Sequence, residues 1–295
     1  MKIAITGVGG NLGSVLEKKI SGGPFTVWPI PAELYRPQIQ AEDLTKLLRS
    51  NDIEVLIHCA SLTNVEFSET DERAAYLSNV VLTDNLAKIA ESSGIKMVFI
   101  SSTGVYGNNT YSVTGLNREI DEVLPLNIYH KTKFQAELAV EELCTDPLIL
   151  RVGWLFGSEA SAGKDFVLAR VQEMARLTES AEYSSNIDQF GNPTSSEFIS
   201  EKIIDLLRGN AKGVINCVNE GAVSRYDFVR RIKEECGFEF KLVPRANNFF
   251  SRTATVPLNE TGDTSLMAEY SQPMPWDDYL IRYCDKLRNN AWRNQ

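Results

Sequence analysis

Three side chains in the middle of the chain have the chemistry and spacing needed to move a proton. Tyr129 and Lys133 are four residues apart at the start of a segment with helical periodicity, so they share one helix face. A cationic lysine beside a phenol favours the phenolate and lowers the tyrosine pKa from its usual value of about 10. Ser102, at the end of a predicted strand, could hydrogen-bond the same substrate oxygen. Together they suit proton delivery to a carbonyl during its reduction, although a Tyr-x-x-x-Lys pair alone is often only a surface pair.

The first predicted strand leads directly into a glycine-rich turn. Gly7, Gly10 and Gly13 have the spacing G-x-x-G-x-x-G between a strand at 2–6 and a helix at 11–20. Without side chains, the backbone can turn tightly and approach a pyrophosphate, and the N-terminus of the helix offers free N–H groups. A plain tight turn would have the same spacing, but its position between strand and helix favours dinucleotide binding.

Short apolar runs alternate with helix-period segments through the first half of the chain. The runs are typical of buried parallel strands and lie at 2–6, 25–30, 54–58, 96–101 and 147–152. The helices between them are predicted at 11–20, 42–50, 72–92 and 129–143. This order predicts an α/β fold with a doubly wound, Rossmann-like parallel sheet. We assign 1–153 to a dinucleotide-binding domain, to which later segments could return.

The second half of the chain, 154–295, is predicted to form a smaller α/β lobe that binds substrate. Helices are expected at 164–179, 197–208, 225–236 and 276–288, with strands at 213–218 and 239–243. The polar stretches 178–196 and 247–271 are predicted as loops. Long loops in compact proteins often cover a substrate.

Composition and charge exclude several classes of protein. The 295 residues are 43% hydrophobic and 23% charged, which is typical of a globular chain. A net charge of −9 argues against nucleic acid or anionic lipid as a partner. No apolar run reaches the roughly 18 residues of a membrane helix, so we expect a cytoplasmic protein with no membrane partner. Five scattered cysteines and two histidines argue against a disulfide framework and a metal site.

The glycine turn, the strand-end serine and the Tyr-x-x-x-Lys pair occur in the order of the extended short-chain dehydrogenase/reductase family. The sequence resembles that family over essentially the whole chain. Within it, the D-Q-F-G-N-P-T stretch at 188–194 resembles dTDP-4-dehydrorhamnose reductases most specifically. The other similar stretches are 125–129, 151–154, 213–216 and 226–228.

The resemblance implies reduction, with NADPH or NADH, of the C4 ketone of a nucleotide-activated deoxysugar. Tyr129 would donate the proton, Lys133 would bind the nicotinamide ribose, and Ser102 would bind the keto oxygen. The positions that match the family's cofactor site are Gly7, Gly10, Asn11, Leu12, Gly13, Ala60, Ser61, Thr63, Asn79, Tyr129 and Lys133. The positions that match its substrate site are Ser102, Trp154, Gln189 and Thr194.

Some of these positions have simpler interpretations. Trp154 could be a core residue, and the Gly-Asn-Pro sequence within 188–194 could serve only as a turn. His58 is predicted to be buried and hydrogen-bonded, while His130 is expected on a different helix face from Tyr129 with no chemical role.

Two segments depart from the family pattern. The acidic residue of the adenosine pocket has no clear equivalent, since Pro37 aligns there, and the segment 252–259 preserves a substrate-side motif only loosely. Cofactor preference and the identity of the sugar are therefore open.

Two other functions are compatible with the sequence. One is a nucleotide-sugar epimerase of the same superfamily, which would retain its dinucleotide through turnover. The other is a non-catalytic subunit resembling the regulatory subunit of methionine adenosyltransferase. An intact Ser102, Tyr129 and Lys133 argues against the second function. The oligomeric state is open, with a homodimer as the commonest soluble assembly.

The missing carboxylate after the second strand generates a prediction about the cofactor. Arg36 lies there and could attract a 2′-phosphate, with Glu33 as the alternative ribose ligand. NADPH should be used at least as well as NADH. Arg36→Ala should weaken NADPH binding by about tenfold at most and barely change NADH binding. Dissociation constants for both cofactors check this prediction. Equal weakening of NADPH and NADH binding would show that Arg36 does not bind the 2′-phosphate, and would favour Glu33 as the ribose ligand.

Overall fold

The computed structural model describes residues 1–21, 25–35, 41–107, 115–158 and 165–291. Six strands form one sheet in which every neighbouring pair is parallel. They are β1 (Lys2–Thr6), β2 (Thr26–Pro29), β3 (Val55–His58), β4 (Lys96–Ser102), β5 (Leu148–Val152) and β10 (Gly213–Cys217). Their spatial order is β10-β5-β4-β3-β1-β2. The predicted doubly wound α/β fold is confirmed, and β10 extends the sheet from the second half of the chain.

Seven short strands form three smaller sheets. They are β6 (Trp154–Phe156), β7 (Glu182–Asn186), β8 (Phe190–Gly191), β9 (Pro193–Ser195), β11 (Val223–Ser224), β12 (Lys241–Arg245) and β13 (Asn259–Glu260). β11 and β13 flank β8, β12 pairs with β7, and β6 pairs with β9. The prediction of loops at 178–196 and 247–271 is therefore wrong in part, because these polar segments pair through their backbones with strands distant in sequence.

Eleven helices are described. Their bounds are α1 (Asn11–Ser21), α2 (Ala41–Ser50), α3 (Val65–Thr70), α4 (Glu72–Tyr76), α5 (Leu82–Ser92), α6 (Ile128–Leu143), α7 (Phe166–Met174), α8 (Ser196–Arg208), α9 (Arg225–Cys236), α10 (Ser265–Ala268) and α11 (Trp276–Ala291). A π-helical turn, Leu77–Val81, joins α4 to α5 within the helix predicted at 72–92. None of the described helices is both long and apolar enough to cross a membrane.

Alternating residues of the strands enter two separate hydrophobic cores. Ile3, Ile57 and Val98 belong to the core that also contains residues of α1, α8 and α11. Ala4 and Phe99 belong to the other core, with residues of α2, α5 and α6. Because side chains of a strand point to opposite faces in turn, this division covers both faces of the sheet with helices.

The strand order creates a crevice above the centre of the sheet. The chain moves outward from β1 to β2 and then crosses back to β3 on the other side of β1. In open α/β sheets, ligands bind outside the carboxyl ends of the strands at such a reversal. The glycine turn follows β1, and the loop with Ala60, Ser61 and Thr63 follows β3, so both border this crevice.

A buried ion pair attaches α6 to the sheet. The Arg151 guanidinium of β5 donates to the Glu137 carboxylate of α6 at 2.7 Å, and the two side chains are 4% and 1% exposed. The guanidinium also lies 4.8 Å from the centre of the Tyr106 ring. Glu137 is four residues beyond Lys133, so this pair anchors the helix that presents Tyr129 and Lys133.

Removing the arginine alone should leave the Glu137 carboxylate buried without its partner. We expect Arg151→Met to lower the free energy of unfolding by about 3 to 5 kcal/mol. The control is Lys241→Met, which removes the exposed partner of Glu182, 2.7 Å away, and should cost about 1 kcal/mol or less. Urea unfolding followed by circular dichroism measures both variants. Equal losses in the two variants would contradict the anchoring role of the buried pair.

Candidate active site

The glycine turn is packed so tightly that two of its glycines admit no side chain. Gly7 has a φ of +75°, and a Cβ there would lie 2.6 Å from the backbone nitrogen of Ala60. A Cβ at Gly13 would lie 2.2 Å from the carbonyl oxygen of Gly7. That oxygen also accepts a hydrogen bond of 2.9 Å from the Gly10 N–H. The turn, the loop after β3 and the start of α1 therefore meet backbone to backbone at one edge of the crevice.

The crevice opens into one continuous cleft of about 1320 Å³. Most of the predicted site residues line it: Gly7, Gly10, Asn11, Leu12, Gly13, Ala60, Ser61, Thr63, Ser102, Tyr129, Lys133, Trp154 and Gln189. The structure thus brings the glycine turn, the proton-transfer groups and the second half of the chain to one cavity. Asn79 and Thr194 do not line it.

Asn79 lies behind the wall of the cleft. Its side-chain oxygen accepts hydrogen bonds of 2.8 Å from the Ser61 hydroxyl and from the Leu62 N–H, and its amide donates to the Thr132 hydroxyl at 3.0 Å. It is 1% exposed. Asn79 therefore supports the loop after β3 through Ser61 and Leu62 and connects it to α6 through Thr132, while its predicted contact with the cofactor stays a prediction.

Thr194 is also in a different place from its prediction. It lies in β9, is fully buried, and donates its hydroxyl to the carbonyl oxygen of Asn192 at 2.9 Å. A Cβ at Gly153 would be 2.6 Å from that hydroxyl. Thr194 thus packs β9 against the segment before β6, and only Gln189 of this predicted pair faces the cleft.

Lys133 is buried at the junction of α6 and the sheet. Its ammonium donates a 2.6 Å hydrogen bond to the carbonyl oxygen of Ile100 and lies 4.0 Å from the centre of the Phe99 ring. The side chain is 3% exposed. Burial lowers the pKa of Lys133 to about 7, opposed by the charge of Glu137 and by Cys59. The lysine is therefore held in place before any ligand binds.

Tyr129 lies one helical turn before Lys133 and is partly buried. Its pKa is raised above the usual value, because burial disfavours the phenolate and the Glu260 carboxylate opposes it further. The expectation that Lys133 lowers the tyrosine pKa is therefore wrong for the ligand-free site. Desolvation and a carboxylate from the second half of the chain both act in this direction and favour the protonated form of Tyr129.

Ser102 and the N-terminus of α6 are fixed by local hydrogen bonds. The Ser102 oxygen accepts from the Gly104 N–H at 3.1 Å. Asn127 caps α6 by accepting from the His130 N–H at 2.9 Å, and its amide donates to the carbonyl oxygen of Thr255 at 3.0 Å. The cap therefore connects the N-terminus of α6 to the second half of the chain.

The structure places His58 as the sequence predicted, but it places His130 differently. His58 is buried and bonds the Thr6 and Thr83 hydroxyls at 2.7 and 3.1 Å, so its prediction is confirmed. Burial and the nearby Lys133 lower the pKa of His58 to about 3. His130 was expected on another helix face, but it lines the cleft, with its ring centre 5.0 Å from that of Tyr129.

At the substrate end of the cleft, Trp154 lies between two charged groups. Its indole N–H donates to the Glu260 carboxylate at 2.6 Å. The Arg225 guanidinium lies 3.4 Å from the ring centre of Trp154 and 4.7 Å from that of Phe166. Burial lowers the pKa of Arg225 to about 9, and Arg252 and Arg170 lower it further while Glu260 opposes them. Trp154 is 7% exposed and packs in the core, yet it borders the cleft.

Sequence reasoning missed Arg225 and Glu260. Arg225 directly precedes the Tyr-Asp-Phe stretch that resembles the reductases. That neighbouring stretch could have marked Arg225 as a candidate site residue. Glu260 directly follows the loosely matched segment 252–259. No sequence motif marked Glu260 as a site residue, because its contacts with Trp154 and Gln189 form only when β13 pairs with β8.

The adenosine end of the cleft is bordered by Tyr35, whose hydroxyl accepts a 3.2 Å hydrogen bond from the Gly7 N–H. Glu33 is exposed in a 3₁₀ turn, Ala32–Leu34, and does not line the cleft. This position does not support Glu33 as a ribose ligand. Arg36 and Pro37 lie outside the described residues.

Comparison with known proteins gives consistent matches over the length of the chain. The model of the RmlD substrate binding domain family matches residues 1–289. The dTDP-4-dehydrorhamnose reductase of Mycobacterium tuberculosis is 28% identical over 257 residues, which cover 86% of this chain and 82% of that protein.

Solved structures agree with this match. The dTDP-4-dehydrorhamnose reductase structure from Clostridium acetobutylicum has a TM-score of 0.88 and 28% identity, covering 98% of this chain and 100% of that one. A reductase structure from Bacillus anthracis in complex with NADP also has a TM-score of 0.88, with 24% identity over 97% of this chain and 99% of that one, and shares the fold. The predicted resemblance is confirmed: the chain belongs to the RmlD substrate binding domain family.

Proposed function

We propose that this chain uses a nicotinamide dinucleotide to reduce the C4 ketone of a nucleotide-linked deoxysugar, the activity that its dTDP-4-dehydrorhamnose reductase relatives are named for. The predicted class, an NAD(P)-dependent oxidoreductase, is confirmed by the family match and these relatives. The observation that carries the proposal is one cleft lined by the glycine turn, by Ser102, Tyr129 and Lys133, and by Arg225. The predicted two-domain division, homodimer and cytoplasmic location stay predictions.

The cofactor end of the cleft fits a dinucleotide. Gly9 and Gly10 line the cleft at the N-terminus of α1, and a Cβ at Gly9 would meet no atom within 4 Å, so the backbone there borders open space. The N-terminus of a helix favours phosphate oxygens, because the helix dipole stabilises their negative charge. Ser61 and Thr63 would border the same ligand, and Lys133 would hold the nicotinamide ribose. When bound, the nicotinamide group supplies the hydride.

Proton delivery falls to Tyr129. Its raised pKa keeps the phenol protonated at neutral pH, which is the form that a proton donor to a ketone oxygen requires. Ser102 accepts a hydrogen bond from a backbone N–H, so its own proton is available for the same ketone oxygen. As negative charge develops on that oxygen, Ser102 orients it and the Tyr129 proton neutralises it. Solvent then restores the tyrosine proton.

The substrate end has a cation suited to a diphosphate. Among the residues that the structure describes, the Arg225 guanidinium makes no hydrogen bond or ion pair, although it lines the cleft and stacks on Trp154. A planar guanidinium binds phosphate oxygens through paired N–H groups. A nucleotide-sugar diphosphate would satisfy these donors and offset the cost of burying the charge.

A screen of nucleotide-linked 4-keto-6-deoxysugars tests the proposal. The purified chain is mixed with each sugar and with NADH or NADPH, and oxidation of the cofactor is followed by absorbance. Stoichiometric consumption with at least one sugar is expected and would exclude the non-catalytic subunit. Interconversion of sugars without consumption of added cofactor would instead identify an epimerase.

Replacing the proposed proton donor should stop reduction with little change in cofactor binding. We expect Tyr129→Phe to lower kcat by about 10²- to 10⁴-fold, because the ring still packs but no proton is donated. Tyr270→Phe, at an exposed position in the second half of the chain, is the matched control. Turnover rates and cofactor dissociation constants measure both effects. A Tyr129→Phe rate within threefold of the parent, about 0.7 kcal/mol in barrier, would remove Tyr129 from the mechanism.

The depressed pKa of Lys133 should appear in the pH dependence of stability. Its pKa is about 7 in the folded protein against an ordinary value of 10.5, so the unfolded chain binds more protons between these pH values. Lys133 therefore makes stability rise with pH across this window, by at most about 1.4 kcal/mol per pH unit.

Lys133→Met removes this titration. The free energy of unfolding of the parent, relative to the variant, should increase from pH 7 to pH 9.5 in urea titrations. Lys131→Met, at an exposed position of the same helix, should run parallel to the parent. Parallel profiles for Lys133→Met and the parent would show that Lys133 keeps an ordinary pKa.

A further inference from the structure

Glu260 brings a carboxylate into the substrate end of the cleft. It ends β13, is 8% exposed, and lines the same cavity as Tyr129 and Ser102. Its two oxygens accept one hydrogen bond each, from the Trp154 indole at 2.6 Å and from the Gln189 amide at 3.3 Å. These donors hold the carboxylate in a fixed position.

The Glu260 charge acts on the groups at the reaction centre. Burial raises the pKa of Tyr129 and the Glu260 charge adds to that rise, whereas burial lowers the pKa of His130 and the Glu260 charge opposes it; the two rings line the cleft beside each other. Electrostatic influence of this kind requires proximity in a poorly screened environment. Glu260 is therefore close to the place where the proposed function puts the sugar ketone.

The cluster presents hydrogen-bond acceptors that the protein leaves unused. A carboxylate has about four lone-pair positions, and the indole and the amide occupy one on each oxygen. The Gln189 side-chain oxygen is buried and has no partner among the described residues. Its orientation is set by the bond from its amide to Glu260, so the oxygen and the nitrogen cannot exchange places without losing that bond. The surface offered by Glu260 and Gln189 is thus rich in acceptors and negatively charged.

Such a surface discriminates between the substituents of a hexose. The carbons next to the C4 ketone are C3, which carries a hydroxyl, and C5, which carries the C6 group. A hydroxyl can donate to the free acceptor positions. A C6 carboxylate has no proton to donate and would place a second negative charge in the same buried space, where repulsion is stronger than in water.

Resting on the proposed function, we propose that Glu260 determines sugar specificity: it accepts a hydrogen bond from a sugar hydroxyl and excludes sugars that carry a carboxylate at C6. Arg225 borders this cluster through its contact with Trp154, and it could attract such a carboxylate instead. In the proposed complex, however, the diphosphate occupies Arg225. Glu260 then remains as the uncompensated charge facing the sugar.

Two ligands that differ only at C6 test this directly. dTDP-glucose and dTDP-glucuronic acid are titrated calorimetrically into the NADP-loaded protein, with UDP-glucose and UDP-glucuronic acid as a second pair. The parent should bind the uronic acid at least about tenfold more weakly than the glucose form. Glu260→Gln should reduce that ratio to within about threefold, mainly by tightening uronic acid binding.

Glu239→Gln is the matched control, because it removes the same charge from an exposed position outside the cleft. It should keep the parent ratio, which separates a local effect of Glu260 from the net charge of the protein. Equal binding of the two sugars by the parent, or an unchanged ratio in Glu260→Gln, would overturn the specificity role and leave the proposed function intact. Failure of the parent to bind either glucose form would also overturn the specificity role, whereas the proposed function fails only if no 4-keto sugar is reduced in the activity screen.

Discussion

The site depends on one buried hydrogen bond, from the Lys133 ammonium to the carbonyl oxygen of Ile100. A cation that is 3% exposed is costly to bury unless it is bonded, and the Phe99 ring and the end of β4 provide its surroundings. This bond sets the position of α6 on the sheet. The same helix carries Tyr129 one turn earlier and Glu137 one turn later, and the ion pair of Glu137 with Arg151 holds the middle of the helix against the sheet. Tyr129, the proposed proton donor, is therefore positioned by contacts that the protein makes without a ligand.

The two ends of the cleft bind by different physical means. At the proposed dinucleotide end, the glycine turn borders open space that has room for a phosphate group. At the other end, Trp154 separates the Arg225 cation from the Glu260 carboxylate. A nucleotide-sugar has a matching distribution of charge, with an anionic diphosphate at one side and neutral hydroxyls at the other. Tyr129 lines the cleft between these two environments, and its pKa is raised first by burial and second by the Glu260 carboxylate.

Sequence patterns predicted the first half of the fold well because its signals are local. The strand periods, the glycine spacing and the four-residue interval from Tyr129 to Lys133 each depend on neighbours along the chain. The same reasoning failed for 178–196 and 247–271, where polar residues form strands only by pairing with distant segments. Asn79 and Thr194 match family positions but do not line the cleft, because a matched position does not say which way its side chain faces. The raised pKa of Tyr129 was not visible from the motif, because it comes first from burial in the folded protein and second from Glu260, 131 residues later in the chain.

The proposed reduction requires that hydride reaches C4 of a nucleotide-linked sugar in this cleft. The most direct measurement uses NADPH deuterated at both C4 positions of its nicotinamide ring, a dTDP-linked 4-keto-6-deoxyhexose, and proton NMR of the product sugar. We expect one deuterium at C4 of the sugar for each cofactor molecule oxidised, with none at C3 or C5. Oxidation of the cofactor without deuterium at C4, or deuterium at another carbon, would contradict it.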